Sequence, residues 1–155
     1  MGRIGLYEYP DITLSECLVI GTRISKNFNG LISRRDLAAT LGLSDRGGRF
    51  ALVTGSLRRW RIVEGRGTLQ LTTQALKSVN SVTIEESISS RSKLVASVPF
   101  FSKLVANIKE LPVDDVKLAS ILENITNAST LDIEKQLAKI QKLLCDVSQY
   151  VPSLA

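Results

Sequence analysis

Apolar positions along this chain recur mostly three and four residues apart, the spacing that lines one face of an α-helix, and only briefly at every second residue. Thr13-Leu14-Ser15-Glu16 has the form of a capping box. Leu14, Cys17, Leu18, Gly21, Ile24 and Phe28 then mark one face of a helix over 13–28, which Asn29-Gly30 ends. Val19 and Ile20 fall off that face. Leu31-Ile32 suits one short strand, and Ser33 caps a helix over 33–41 with Leu37, Ala38 and Leu41 inside and Gly42 at its turn. A further helix over 47–60 carries Phe50, Val53, Leu57 and Trp60 on one stripe, which predicts a core face. Its opposite side presents Gly48, Ala51, Leu52, Gly55 and Arg59, with Arg49, Ser56 and Arg58 at the margins. Gly48 and Gly55 cost roughly 1 kcal/mol each inside a helix relative to alanine, so close approach of a nucleic-acid backbone or of another helix is expected there. Ile62-Val63 reads as a strand, Gly65-Arg66-Gly67 as a turn, and Leu69 and Leu71 alternate with Gln70 and Thr72 on a return strand. Thr73 caps a helix through Ala75, Leu76 and Val79.

Residues 1–12 lack periodicity and are expected to form an arm that packs on the domain or reaches a partner. The stretch 78–92 is rich in serine and acids and marks the boundary between halves. The predicted organisation is an arm (1–12), a first domain (13–80), a linker or continuous helix (81–92) and a helical C-terminal domain (93–155). Three helices are expected in the second half. Ser92 to Lys109 holds Leu94, Val95, Val98, Phe101, Leu104, Val105 and Ile108, with a kink or restart at Pro99. Pro112-Val113-Asp114 opens the next, with Val116, Ala119, Leu122 and Ile125 on its inner side. Thr130 or Asp132 opens the last, where Ile133, Leu137, Ile140, Leu144, Val147 and Val151 follow a heptad-like register. Periodicity leaves two readings of that stripe open: a helix buried against its own domain, or a homodimer or partner interface through Ile133, Leu137, Ile140, Leu144 and Val147.

Charge divides the chain more sharply than hydropathy does. Residues 1–80 hold 12 Lys or Arg against 6 Asp or Glu, a net +6, and residues 81–155 hold 8 against 9, a net −1. Ten of the twelve N-terminal cations are Arg and seven of the eight C-terminal ones are Lys. Arg presents a planar fork that matches phosphate or guanine, whereas Lys on a helix is a solubilising point charge. Between Arg46 and Arg66 lie Arg46, Arg49, Arg58, Arg59, Arg61 and Arg66 against the single acid Glu64.

An apolar share of 44% with 23% charged excludes disorder across the whole chain. The absence of histidine removes the commonest general base and the commonest zinc ligand, and weighs against most hydrolase and metalloenzyme chemistry. Gly42 and Gly47 have phosphate-loop spacing, but Gly48-Arg49 stands where Lys-Ser or Lys-Thr is required. The pairs Glu85-Glu86 and Asp114-Asp115 diverge on a helix and read as solvated helix starts. The expectation is therefore a protein that is not an enzyme, with no cofactor, metal or catalytic residue. Cys17 and Cys145 are expected as reduced thiols in apolar helix faces, in an intracellular, cytoplasmic or nucleoid-associated protein without signal peptide or membrane span.

The order helix 13–28, short strand, helix 33–41, helix 47–60 and hairpin 62–72 resembles the winged helix-turn-helix domain of archaeal and bacterial transcriptional regulators. The resemblance rests on Leu37-Ala38 before Leu41-Gly42-Leu43-Ser44, then Leu57, Ile62-Val63, the Gly65-Arg66-Gly67 tip and Leu71-Thr72. The three C-terminal helices faintly resemble a second, wingless helix-turn-helix. Two features depart from the pattern: about two extra residues follow Ser44, and Arg61 stands at the tight turn where glycine is usual. The resemblance implies a mainly α fold with a small β-hairpin wing and a recognition helix for duplex DNA, in a transcriptional regulator or chromatin-associated factor. On this reading Arg34, Arg35, Arg46, Arg49, Leu52, Ser56, Arg59 and Arg66 form the DNA-binding set, and the C-terminal helices serve dimerisation or partner binding. The alternative is a tandem winged-helix adaptor that uses the same face for protein contacts, which Ala51, Leu52 and Gly55 favour.

Overall fold

The computed structural model describes residues 2–154, which fold as a mainly helical protein with two small antiparallel sheets. The chain opens with a hairpin of β1 (Gly2–Ile4) and β2 (Tyr7–Tyr9), followed by α1 (Leu14–Phe28), β3 (Leu31–Ser33), α2 (Arg34–Leu41) and α3 (Gly48–Arg59). Then come β4 (Val63–Glu64), β5 (Thr68–Leu71) and five further helices. These are α4 (Thr73–Val79), α5 (Ile84–Ala96), α6 (Pro99–Ala106), α7 (Asp115–Thr126) and α8 (Thr130–Ser148).

Side-chain caps set most helix starts. The hydroxyls of Thr13 and Ser33 accept from the amides of Glu16 and Asp36 at 3.2 and 3.1 Å, satisfying donors that a first turn leaves without partners. Among the described α-helices only α3 and α6 begin without such a cap, at Gly47 and Val98. Pro99 does restart the chain there, as the first residue of α6. β5 is the central strand of the second sheet, pairing Ile32 with Leu69 on one side and Val63 with Leu71 on the other. Gly65 has φ +97, and a Cβ there would lie 2.3 Å from the Thr68 carbonyl oxygen, so the β4–β5 turn requires glycine.

Buried side chains from both halves of the chain form one cluster. The stripe Phe50, Val53, Leu57 and Trp60 is buried as its spacing requires. Trp60 stacks on Phe101 of α6 at 5.1 Å and donates its indole N–H to the Ile12 carbonyl at 2.8 Å, joining the N-terminal segment, α3 and the C-terminal helices. The opening segment is a packed hairpin: Ile4 and Tyr9 are fully buried, and Tyr9 OH donates to Gln136 on α8. Burial first, then Asp11 and Asp132, pushes the Tyr9 phenol up to about 12, so it stays a protonated donor. Residues 84–92, read from sequence as linker or continuous helix, are the first part of α5, which packs along α4.

The heptad-like stripe of α8 lies inside the molecule. Ile133, Ile140, Leu144 and Val147 are buried in the common core and Leu137 packs against it, with α7 and α1 as the neighbouring helices. Four of these five residues are therefore unavailable as a subunit interface, because the chain's own helices cover them, and Leu137 alone keeps part of its surface open. Leu144→Asp is accordingly expected to destabilise the fold by at least about 3 kcal/mol. Circular dichroism should show lost helix, where an interface would give a folded protein of halved mass. Two smaller expectations also fail. Val116 is 81% exposed, since the inner side of α7 runs through Leu118, Leu122 and Thr126. Cys145 is exposed on the flank of α8, whereas Cys17 is buried and its thiol pKa is raised by that burial. No helix among the described residues is long and apolar enough to cross a membrane.

Candidate nucleic-acid interface

The antiparallel pairing of β3 with β5 carries the β4–β5 turn back to the start of α2, where the amide of Arg34 donates to the Gly67 carbonyl at 3.3 Å. A second tie comes from α3, whose Arg58 donates its Nε–H to the Gly65 carbonyl at 3.1 Å. The turn is thus held at both ends, and Arg34, Arg58, Arg66 and Gly67 line one open cleft. The Arg34 guanidinium also lies over the Phe50 ring, 5.2 Å from its centre. Burial first, then the charges of Arg34 and Arg66, lowers the pKa of Arg58. A guanidinium stays charged under any such shift, so three positive groups are held close together. An anion in the cleft would relieve that repulsion.

Sequence position alone brings Arg34 and Arg66 into the candidate set and leaves Arg58 at a helix margin. The signal for Arg58 is its place in the last turn of α3, seven residues before the glycine whose carbonyl it holds. Arg35 and Arg46 line a second depression with Ala38, Ala39, Leu43, Ser44 and Asp45. The two residues inserted after Ser44 fold into a turn, closed by the Gly47 amide on the Ser44 carbonyl at 3.0 Å. Arg49 is exposed in the first turn of α3.

The outer face of α3 is arranged differently from the sequence expectation. Ser56 is 2% exposed, and its hydroxyl accepts from the amides of Asp11 and Ile12, both at 3.1 Å. It is an internal anchor for the N-terminal segment and drops out of the DNA-facing set. Arg59 forms an ion pair with Glu8 of β2. Leu52 is half-buried, and with Gly48, Ala51 and Gly55 it lines a small hollow beside Asp11. At Gly48 a Cβ would meet nothing within 4 Å, so no helix of this chain approaches there and the glycine has no internal packing role.

Arg61 occupies the position of the expected tight turn with φ +60. Its amide donates to the Arg58 carbonyl at 3.0 Å and the Ile62 amide to the Leu57 carbonyl at 2.9 Å, the paired bonds of a Schellman helix end. Glycine is the usual residue at that position, and an L side chain in the left-handed region costs roughly 1–2 kcal/mol. The Arg61 carbonyl in turn accepts from the hydroxyl of Thr72, the residue that caps α4, which ties the strained residue to the start of that helix. No protein-family model matches the chain, and comparison with curated proteins and with solved structures gave no match either.

Proposed function

We propose that residues 13–80 form a winged helix-turn-helix and that the chain binds duplex DNA, as a transcriptional regulator or chromatin-associated factor. The observation that carries this is the cleft lined by Arg34, Arg58 and Arg66 at the β4–β5 turn, where Arg34 is held over Phe50 and Arg58 on the Gly65 carbonyl. The element order, with β5 between β3 and β4 and the turn tied to α2 and α3, supports the winged reading. Arginine forks neutralise phosphates and release condensed counterions, the main source of affinity in such complexes.

The face of α3 that would meet bases argues for binding that is weakly selective for sequence. Its centre is Gly48, Ala51, Leu52 and Gly55, which lack side-chain donors for base edges; of the arginines beside it, Arg59 is already paired with Glu8, which leaves Arg49 in the first turn. Phosphate contacts position a protein without reading sequence. Anisotropy titrations of several unrelated 20-base-pair duplexes at fixed salt test this. Affinities within about threefold of one another are expected, because direct base contacts are worth roughly 1–3 kcal/mol each and few are available. A single duplex bound a hundredfold more tightly would replace this reading with direct base recognition, and folded protein that binds none would remove it.

A further inference from the structure

Arg58 lines a second cleft as well as the one at the β4–β5 turn. This second space lies between the end of α3 and the α5–α6 turn, and Arg58, Arg59, Arg61, Glu8 and the segment Ser97-Val98-Pro99 line it. Its volume of about 280 Å³ has room for a phosphate group with several waters, each of which takes roughly 30 Å³ in the liquid. We infer that this cleft binds a further backbone phosphate of the same nucleic acid, so that the contact path leaves the outer face of α3 and crosses onto the C-terminal half of the chain. The inference rests on the nucleic-acid reading above and adds a site that the winged unit alone does not contain.

Two independent observations carry it. The first is charge. Three arginines and one carboxylate line it, and Glu8 already pairs with Arg59, so Arg58 and Arg61 bring positive charge to this space that its one acid does not offset. The second is backbone conformation. Arg61 holds a left-handed φ of +60 where glycine would relieve the strain. A side chain kept at a strained position is expected to act through that side chain, and here it lines the cleft. The opposite wall begins α6, a helix start without a side-chain cap, whose positive end favours the same kind of ligand.

The strain itself supplies a variant that keeps the fold. Arg61→Gly is expected to raise Tm by roughly 1–4 °C, because glycine adopts this conformation freely and only part of the gain is lost to the greater freedom of its unfolded chain. The same variant is expected to weaken duplex DNA binding roughly three- to tenfold at 100 mM salt. It should also reduce the slope of log affinity against log salt by about 0.9, the contribution of one phosphate. Glu8→Gln is expected to move affinity the other way. Wild-type affinity and slope in a more stable Arg61→Gly protein would overturn the inference. If Arg66→Ala loses affinity under the same conditions, the contact at the β4–β5 turn survives that failure. If neither variant loses affinity, both readings fall. Inorganic phosphate, followed by amide shifts at Arg61 and Ser97, separates the sources of the ligand. Shifts at both amides, together with duplex binding that depends on Arg61, support the path. Phosphate shifts in a protein that binds no duplex would overturn it in favour of a free phosphate-bearing ligand.

Discussion

Replacing Trp60 by alanine should cost about 3–5 kcal/mol of folding free energy, a large share of the roughly 5–15 kcal/mol by which domains of this size are stable. Trp60 is fully buried, stacks on Phe101 at 5.1 Å and gives its indole N–H to the Ile12 carbonyl at 2.8 Å. The substitution therefore removes an aromatic pair, leaves a cavity, and orphans a buried carbonyl where three parts of the chain meet. Trp60→Phe keeps most of the volume but not the donor, and should fall between the two. Urea denaturation followed by circular dichroism is the appropriate measurement, since Trp60 is the only tryptophan and fluorescence disappears with it. Because both halves share one core, the loss should appear as one displaced transition. Two separate transitions, or a cost below about 1 kcal/mol, would contradict the placement of Trp60 at the junction.

The second large effect falls on binding. Changing Arg34, Arg58 and Arg66 together to glutamine should weaken duplex binding roughly a hundred- to a thousandfold at physiological salt. The slope of log affinity against log salt should become shallower by about 3, since each phosphate contact contributes roughly 0.9. The fold should survive, because Arg66 is exposed, Arg34 is half-buried, and the one side-chain hydrogen bond removed from Arg58 is an exposed contact to Gly65. Equal charge removal on the C-terminal helices, at Lys117, Lys135 and Lys142, is the control. All three are exposed on α7 and α8, and their loss should leave the slope nearly unchanged. A similar fall in both triple variants would mean that net charge, rather than the arginine cleft, drives association.

Much of the fold was legible in local patterns. Thr13 and Ser33 announce helix starts with their own hydroxyls, Phe50 to Trp60 mark a buried stripe by spacing alone, and Gly65 signals a turn that only glycine can make. What escaped depends on partners distant in sequence. Residues 2–12 carry no period because their order comes from Tyr9 on Gln136, Asp11 on Lys139 and the Asp11 and Ile12 amides on Ser56. Ser56 read as a helix margin for the same reason: nothing local shows that a segment more than forty residues earlier folds over it. The stripe of α8 had the correct residues, yet periodicity reports that a face is covered without saying by which chain. Within the candidate site, Arg34 and Arg66 were visible as arginines at a helix start and a turn. Arg58 joins them only once β5 brings the turn back onto α3.

Salt dependence measured on the unmodified chain bears most directly on the arginine cleft. Affinity for one 20-base-pair duplex, taken from 50 to 200 mM potassium chloride, is expected to fall along a line of slope about −3 to −5, as three to five phosphate contacts require. Folded, monodisperse protein whose duplex affinity is absent, or independent of salt over that range, would contradict the proposed interface.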